Sequence, residues 1–405
     1  TVGIGENKMT FLIQIPQLIF GGAEKVLVSF TKCLVEHGHD VEVLETYERG
    51  LLRDQFDPRV HFSAICSKAY TAKYYASLAD IRAEVNLRKK LKKSAKLGFS
   101  KLVGYRRFAE YLTAKRYRNR RFDVAINYLE IESPAFLLSN IHANCYFQWI
   151  HTDVKNMAPS DSLDKYLPFY QKMNAIFCVA DSARASFTSM YPALSSKTYT
   201  LYNFFDAEAI LKKASDASAF SSERPVLLSV GRMTPQKKYL RFLNVLAKLR
   251  DEGYAFSWHV LGTGIELDTI KQKIEVLHLN DRVFLDGTTD NPYQYMAACD
   301  LFVLPSGWEG FPTVTIEAKL LCKPVLATDV SGIREQLKDG ITGLIVENSE
   351  EGIYNGLKTM LDHPDFCYAL SQNAGIDQLV NNELKYQTFI KIVSACQKAS
   401  SNLYE

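Results

Sequence analysis

Several common signatures are missing from this 405-residue sequence, and each absence removes a class of protein. No apolar run reaches the ~18 residues that a membrane-spanning helix needs, so no span is expected. The opening TVGIGENKMT lacks a basic end followed by a long apolar core. No secretory leader is therefore expected, and Met9 stands as an alternative first residue. The eight cysteines, at 33, 66, 145, 178, 299, 322, 367 and 396, include no C-x-x-C pair, and most lie inside apolar runs. Buried, reduced thiols in a cytosolic protein are expected rather than a zinc site or a disulfide framework. There is no G-x-x-x-x-G-K-[ST], no H-E-x-x-H and no G-x-S-x-G. P-loop hydrolysis, zinc proteolysis and a serine-hydrolase elbow thus lack support. No D-x-D triplet occurs either, so carboxylates spaced to hold a nucleotide diphosphate through a divalent metal are missing.

What is present is ordinary soluble globular composition, 47% hydrophobic and 23% charged, which excludes a disordered or low-complexity chain. At ~150 residues per domain the length suggests two or three domains. Net charge is only +3, but it is unevenly spread. Residues 82–121 hold fifteen Lys or Arg and two Glu, a balance of +13, which leaves −10 for the rest of the chain. Such a segment calls for an anionic partner.

Along the chain, short apolar runs alternate with helical patterns. FLIQI (11–15), VEVLE (41–45), DVAIN (123–127), CYFQWI (145–150), AIFCVA (175–180) and TYTLYN (198–203) read as strands. Residues 206–224, rich in Ala, Ser and charge, read as an interdomain connection. A second series follows: PVLLSVG (225–231), FSWHVLG (256–262), VFLDG (283–287), LFVLPS (301–306), PVLATD (324–329) and GLIVE (343–347). The expected class is α/β, with two doubly wound Rossmann-like domains of parallel sheet facing a central cleft. Ligands in such sheets bind beyond the carboxyl ends of the strands.

Four stretches carry chemistry. In PSGWEGFPTVTIEAKLL, Glu309 and Glu317 have seven residues between them, one before a helix and one in its first turns. Both can face the cleft at the helix's positive end, which suits a phosphate. In SVGRMTPQKKYL, Arg232 and Lys237 follow a strand end, with Lys238 a competitor for the second role. Two fixed cations there can neutralise a diphosphate and stabilise it as it departs, so no metal and no cofactor is expected. LGTGIELD places Gly262 and Gly264 in a strand-to-helix turn that permits close approach of a ligand. It is not a full dinucleotide fingerprint, which argues against a nicotinamide enzyme. Gly21 and Gly22 open the first helix, either as a plain turn or as a place where a ligand meets backbone amides. His151, in W-I-H-T-D, ends a strand and can reach a sugar hydroxyl or a phosphate, with Asp153 placed to orient it.

Taken together, GGAEKVLVSF, the G-R plus Q-K-K stretch, LGTGIE, and EGFPTVTIE with its S-G-I-R-E and D-G-x-T-G-L-x-V tail resemble the family 4 retaining glycosyltransferases of the GT-B fold. The resemblance is strong over 225–350, moderate over 10–50 and 145–205, and weak over 66–122. It implies an acceptor-binding domain at 9–205, a linker at 206–224, a nucleotide-sugar domain at 225–380, and a C-terminal helix from 381 packing back on the first domain. It further implies that Arg232 and Lys237 bind the donor diphosphate, and that Glu317 binds the ribose hydroxyls. Glu309 then lies near the donor sugar beside the backbone of Gly310, Phe311 and Pro312. Gly22 lies under the diphosphate, Gly262 lines the donor site and His151 lies near the sugar. Asn203 matches the Asn of the family's P-N-G segment, but Tyr202 and Phe204 replace its Pro and Gly. Lys238 stands where the family usually has Gly or Asn.

The expected partners are a UDP-sugar donor and a glycan or lipid-linked glycan acceptor, with no nucleic acid. The basic segment, through Arg88, Lys89, Lys90, Lys92, Lys93, Arg106 and Arg107, is expected to dock on an anionic membrane or its lipid-linked acceptor, with the protein peripheral on the cytoplasmic face of the cell membrane. A solvated, charged helical pair is the plainer explanation of the same charges. The rival function is a catalytically silent subunit that binds a partner glycosyltransferase or a glycan.

Overall fold

In a computed structural model of the chain, residues 8–19, 21–50, 52–68, 78–157, 162–215, 220, 225–372 and 375–401 are described. Seven strands form the first sheet: β1 (Thr10–Ile15), β2 (Asp40–Tyr47), β3 (His61–Cys66), β4 (Arg121–Asn127), β5 (His142–Ile150), β6 (Ala175–Cys178) and β7 (Thr198–Thr200). Their order is β3-β2-β1-β4-β5-β6-β7. Six form the second: β8 (Val226–Val230), β9 (Ser257–Leu261), β10 (Val283–Gly287), β11 (Leu301–Leu304), β12 (Val325–Thr328) and β13 (Leu344–Val346), ordered β10-β9-β8-β11-β12-β13. Every pairing is parallel, and each order reverses beside its first strand. These are two doubly wound α/β sheets, each with its switch point at the carboxyl edge, where a ligand site belongs.

The runs read as strands form these sheets because β-branched and aromatic residues fill positions covered on both faces. β11 and β12 are buried throughout. One strand escaped the reading. β3, HFSAIC, is an edge strand with an exposed His61 and a half-buried Ser63, so its apolar signal is short. The stretch read as a connection also holds structure. Asp206 accepts from the Ala209 amide at 3.0 Å and caps a helix, Ala207–Ala214, which packs against helices Tyr293–Ala298 and Thr313–Leu320. Residues 216–219 and 221–224 of that stretch lie outside the described residues, as do 1–7.

The last helix, Asn382–Ser401, crosses to the first sheet. Phe389 inserts among Phe11, Phe30, Phe147, Trp149 and Phe177, with ring centroids 5.3–6.1 Å away. Tyr386 stacks on His37 at 3.5 Å and its hydroxyl lies 2.8 Å from His39 Nε2. At the crossover, Lys385 donates to the carbonyls of Asn203 at 2.6 Å and Leu379 at 2.8 Å. Five cysteines are buried, whereas Cys322 is exposed, and no disulfide joins any of the eight. Burial pushes the Cys33 thiol up to about 12.

Candidate active site in the interdomain cleft

The carboxyl rims of the two sheets face each other, and the contacts between them are close. A Cβ on Gly310 would lie 2.0 Å from the carbonyl oxygen of His151, so only glycine lets the loop after β11 press on the end of β5. On one side of that contact, the first helix (Gly22–Glu36) begins against Thr313. A Cβ on Gly22 would be 3.5 Å from Thr313 Oγ1, which is ordinary packing. Thr313 starts the helix Thr313–Leu320. Two helix N-termini thus converge from opposite domains, each with unpaired N–H groups and partial positive charge.

Around this point stand the charged groups. Lys237 Nζ lies 2.7 Å from Glu309 Oε1, with both side chains largely buried. Gln236 Nε2 donates to Glu309 Oε2 at 3.2 Å and to the Trp308 carbonyl at 3.0 Å. Lys237 is therefore charge-neutralised by the carboxylate expected near the sugar. Arg232 is exposed, and no hydrogen bond or ion pair of its guanidinium is seen among the described residues. Its charge is felt at Glu24 on the first helix. Burial raises the pKa of Glu24, while its own backbone N–H and the Arg232 charge oppose that rise. A Cβ at Gly21 would lie 2.2 Å from Glu24 Oε2, the movable end of that side chain.

Glu317 is 4% exposed, one turn into its helix. Burial raises its pKa, against the pull of Lys25 and Thr313, and its Oε2 has no partner among the described residues. It lines a cavity of ≈ 360 Å³ with Gly22, Lys25, Tyr293 and Thr313. Lys25 lies 5.5 Å over the Tyr293 ring. Lys25 and Glu24 were quoted in the sequence motif without a role. Their place one turn into the glycine-led helix is the signal that could have singled them out.

His151 Nε2 is sealed from solvent and unpartnered among the described residues. Burial drives the pKa of this imidazole down to about 3. Its ring lies 4.7 Å from that of Tyr128, and its backbone N–H donates to Glu130 at 3.1 Å. Asp153 does not orient it. That carboxylate caps the turn at Lys155 and Asn156 and accepts from Ser186 Oγ.

Gly262 has φ +147, and a Cβ there would meet the Gly231 carbonyl at 2.0 Å. It is demanded by the neighbouring loop, not by open cleft. Lys238 adopts the left-handed conformation (φ 54) that glycine or asparagine takes easily, and its ammonium lies 5.7 Å over the Trp308 ring. Among the described residues, no group of three or more His, Cys, Asp or Glu is placed to hold a metal.

The basic segment forms two helices, Leu87–Val103 and Tyr105–Tyr117. Arg88, Lys89, Lys92 and Arg107 are exposed, and Lys90 is half-buried. Lys93 and Arg106 are tied down: Lys93 pairs with Glu84 at 2.7 Å, and Arg106 with Glu110 at 2.9 Å and Glu132 at 2.7 Å. Leu87, Leu91 and Leu102 are 70%, 63% and 85% exposed, and at 100° per residue they fall on one stripe of their helix. Among the described residues no helix is long and apolar enough to cross a membrane.

Residues 212–376 match the family described as glycosyl transferases group 1. Over 168 residues the chain is 37% identical to the N-acetylgalactosamine-N,N'-diacetylbacillosaminyl-diphospho-undecaprenol 4-alpha-N-acetylgalactosaminyltransferase of Campylobacter jejuni, covering 41% of this chain and 45% of that one. Over 200 residues it is 26% identical to the N-acetyl-alpha-D-glucosaminyl L-malate synthase of Bacillus anthracis, covering 48% and 52%. The chain spans about half the length of the curated relatives it matches. In three dimensions it resembles HepE of Anabaena solved with UDP and glucose, at TM-score 0.71 and 16% identity over 95% of this chain and 99% of that one. It also resembles an S. aureus TarM variant solved with UDP, at TM-score 0.72 and 13% identity over 95% and 99%. These likenesses bear on fold, and the fold is GT-B.

Proposed function

From the match of residues 212–376 to the glycosyl transferases group 1, we propose that the chain is a retaining glycosyltransferase. It moves a hexose or N-acetylhexosamine from a UDP-sugar to a lipid-linked glycan, without a metal, in bacterial surface polysaccharide assembly. One observation carries the reading. Loops and helix starts of opposite domains meet in the cleft: Gly310 presses on the end of β5 at His151, Gly22 packs against Thr313, which begins the helix of Glu317, and Lys237 pairs with Glu309 next to Gly310.

Breaking the C1–O bond to the diphosphate leaves an oxocarbenium-like sugar and puts growing negative charge on the leaving oxygen. In this reading Arg232 and the two helix ends take up that charge. Lys237 joins them by sharing its charge between the phosphate and Glu309. The unpartnered Glu317 Oε2 suits the vicinal hydroxyls of a ribose, since a buried carboxylate oxygen needs a donor. The neutral His151 meets a sugar hydroxyl through its unpartnered Nε2 once the ring turns out of its sealed position toward the donor. Retention follows when the acceptor attacks from the face the diphosphate leaves, with the leaving phosphate taking the acceptor's proton.

The lipid-linked acceptor is supported by the relative named for a diphospho-undecaprenol substrate and by the leucine stripe among exposed cations on the acceptor-side domain. That surface fits a protein lying on the cytoplasmic face of the membrane.

The test is UDP release from a panel of UDP-hexoses and UDP-N-acetylhexosamines. Slow hydrolysis without acceptor is expected, with transfer to a polyprenyl-diphosphate glycan when one is supplied. Binding without turnover of any donor or acceptor would instead support the silent-subunit reading, and no binding of any donor would refute the transferase reading. An inverted anomeric linkage by NMR would overturn retention. Activity lost in EDTA and restored by Mg²⁺ would overturn metal independence.

A further inference from the structure

Glu335 lies outside the constellation above, yet it makes the densest polar contact between the domains. It sits in the short helix Ile333–Gln336 of the second domain. Its carboxylate reaches the N-terminus of the helix Asp181–Met190 in the first domain, whose own N-cap, Ala180, has no side-chain acceptor. There it accepts from the Asp181 N–H at 2.7 Å, the Ser182 N–H at 2.9 Å and Ser182 Oγ at 2.6 Å. The Tyr202 hydroxyl donates to the same carboxylate at 2.9 Å. One domain therefore supplies the anionic cap that the other domain's helix lacks.

The contact leads directly to the donor loop. Ser182 Oγ also accepts from the Gly332 N–H at 2.9 Å. A Cβ on Gly332 would lie 2.6 Å from the Gly310 carbonyl, so this residue supports the loop from behind. The Tyr202 ring packs on Phe311 at 5.3 Å. Tyr202 is one of the positions where this chain departs from the P-N-G pattern. A proline there would supply neither the ring contact nor the hydroxyl.

We infer that Glu335, with Ser182 and Tyr202, is a positioning residue, an interdomain latch that forms on closure and sets the Gly310–Phe311 loop against the donor sugar. The inference rests on the proposed donor site for its catalytic consequence but not for the latch itself. When the domains part, all four bonds to Glu335 are lost together, and the helix Asp181–Met190 is left uncapped. The loop then loses its support from Tyr202, and Gly332 behind it loses its bond to Ser182 Oγ.

The experiment is site-resolved amide hydrogen exchange on the full chain, with and without UDP, for the wild type, E335A, E335Q and Y202F. The Asp181 and Ser182 amides report the latch directly. In E335A they should exchange at least about tenfold faster, the loss expected for hydrogen bonds to a charged group. E335Q, which keeps an acceptor, should fall between. Exchange in β4 and β5 should be unchanged, which separates the latch from global destabilisation. UDP should slow these two amides in the wild type and not in E335A. For turnover, kcat should fall about tenfold in E335A and less in Y202F, which keeps the ring on Phe311. Unchanged exchange at 181–182 in E335A, or wild-type kcat despite fast exchange there, overturns the inference. If the wild type hydrolyses no nucleotide sugar while the exchange pattern holds, the functional reading fails and the latch stands.

Discussion

At the residue scale, the two cations of the cleft are not equivalent. Arg232 is exposed and unpaired among the described residues, whereas Lys237 is locked to Glu309. Arg232→Ala should therefore cost about 3–4 kcal/mol in the barrier, a few hundredfold in kcat, with the melting temperature unchanged. Lys237→Ala should do that and also destabilise the fold, because it strands a buried carboxylate, and breaking such a pair costs about 3–5 kcal/mol. Steady-state kinetics and thermal unfolding of the two variants check this. Full activity in either, or equal melting temperatures, would refute the distinction. His151 makes a pH prediction. Its pKa falls from 6.5 to about 3 on burial. The folded state therefore binds fewer protons than the unfolded state between those values. Stability contributed by neutral His151 is full above the unfolded pKa and is lost as pH falls towards the folded one. Over about pH 5 to 8 its imidazole NMR shift should stay flat, and activity should show no limb from this group near 6.5. A midpoint near 6.5 would mean that the ring is solvated.

At the scale of elements, the strands that are buried on both faces are legible because a covered parallel strand must be apolar along its whole length. β3 was not, since one side of an edge strand is free to be polar. The helix Ala207–Ala214 hid because its apolar stripe, Ala207, Ile210, Leu211 and Ala214, is only two turns long and sits in a run of Ala, Ser and charge that reads as a connection. Lys238 is the reverse case. The departure from Gly or Asn was visible, and the chain keeps the left-handed turn anyway, at the usual strain of about 1–2 kcal/mol for a residue with a Cβ. Lys238→Gly should raise stability by about 1 kcal/mol, less what the Trp308 contact contributes, and denaturant unfolding would show it. A loss of stability would place that contact above the strain. At the crossover of the last helix, burial lowers Lys385 from 10.5 to about 7. The unfolded chain then binds more protons than the folded one between those values. Wild-type stability should accordingly rise through that window relative to Lys385→Met. Parallel pH slopes in the two proteins would show that the ammonium's two carbonyl partners fully offset its desolvation.

At the scale of the whole molecule, the candidate site was legible as a list of residues but not as an arrangement. Arg232, Lys237, Glu309 and Glu317 follow strand ends in one domain, so periodicity and motif spacing place them on one rim. Nothing in local sequence says that Lys237 and Glu309 bond each other, that Gly262 answers to Gly231, or that Glu335 caps a helix of the other domain. Those facts come from loops and domains meeting in space. The same limit governs the basic segment, where charge count alone cannot separate anchored cations from free ones. Arg106 and Lys93 hold the two helices to Glu132 and Glu84, and the exposed Arg88 and Lys92 lie along one side of the Leu87, Leu91 and Leu102 stripe, with the exposed Lys89 farther round the helix. An anionic bilayer contributes about 1 kcal/mol for each such cation at its surface. Replacing Arg88, Lys89 and Lys92 with Glu should therefore weaken co-sedimentation with acidic vesicles by about a hundredfold or more, and raised salt should mimic the change in the wild type. Leu87→Ser with Leu91→Ser should weaken binding at every salt concentration, because it removes the apolar insertion rather than the charge. UDP-sugar hydrolysis in solution should be untouched in both variants, since neither stretch enters the cleft. Wild-type binding that is as tight to neutral vesicles as to acidic ones would remove electrostatics from the account. Vesicle binding that survives both variants would move the membrane contact to another face of the protein.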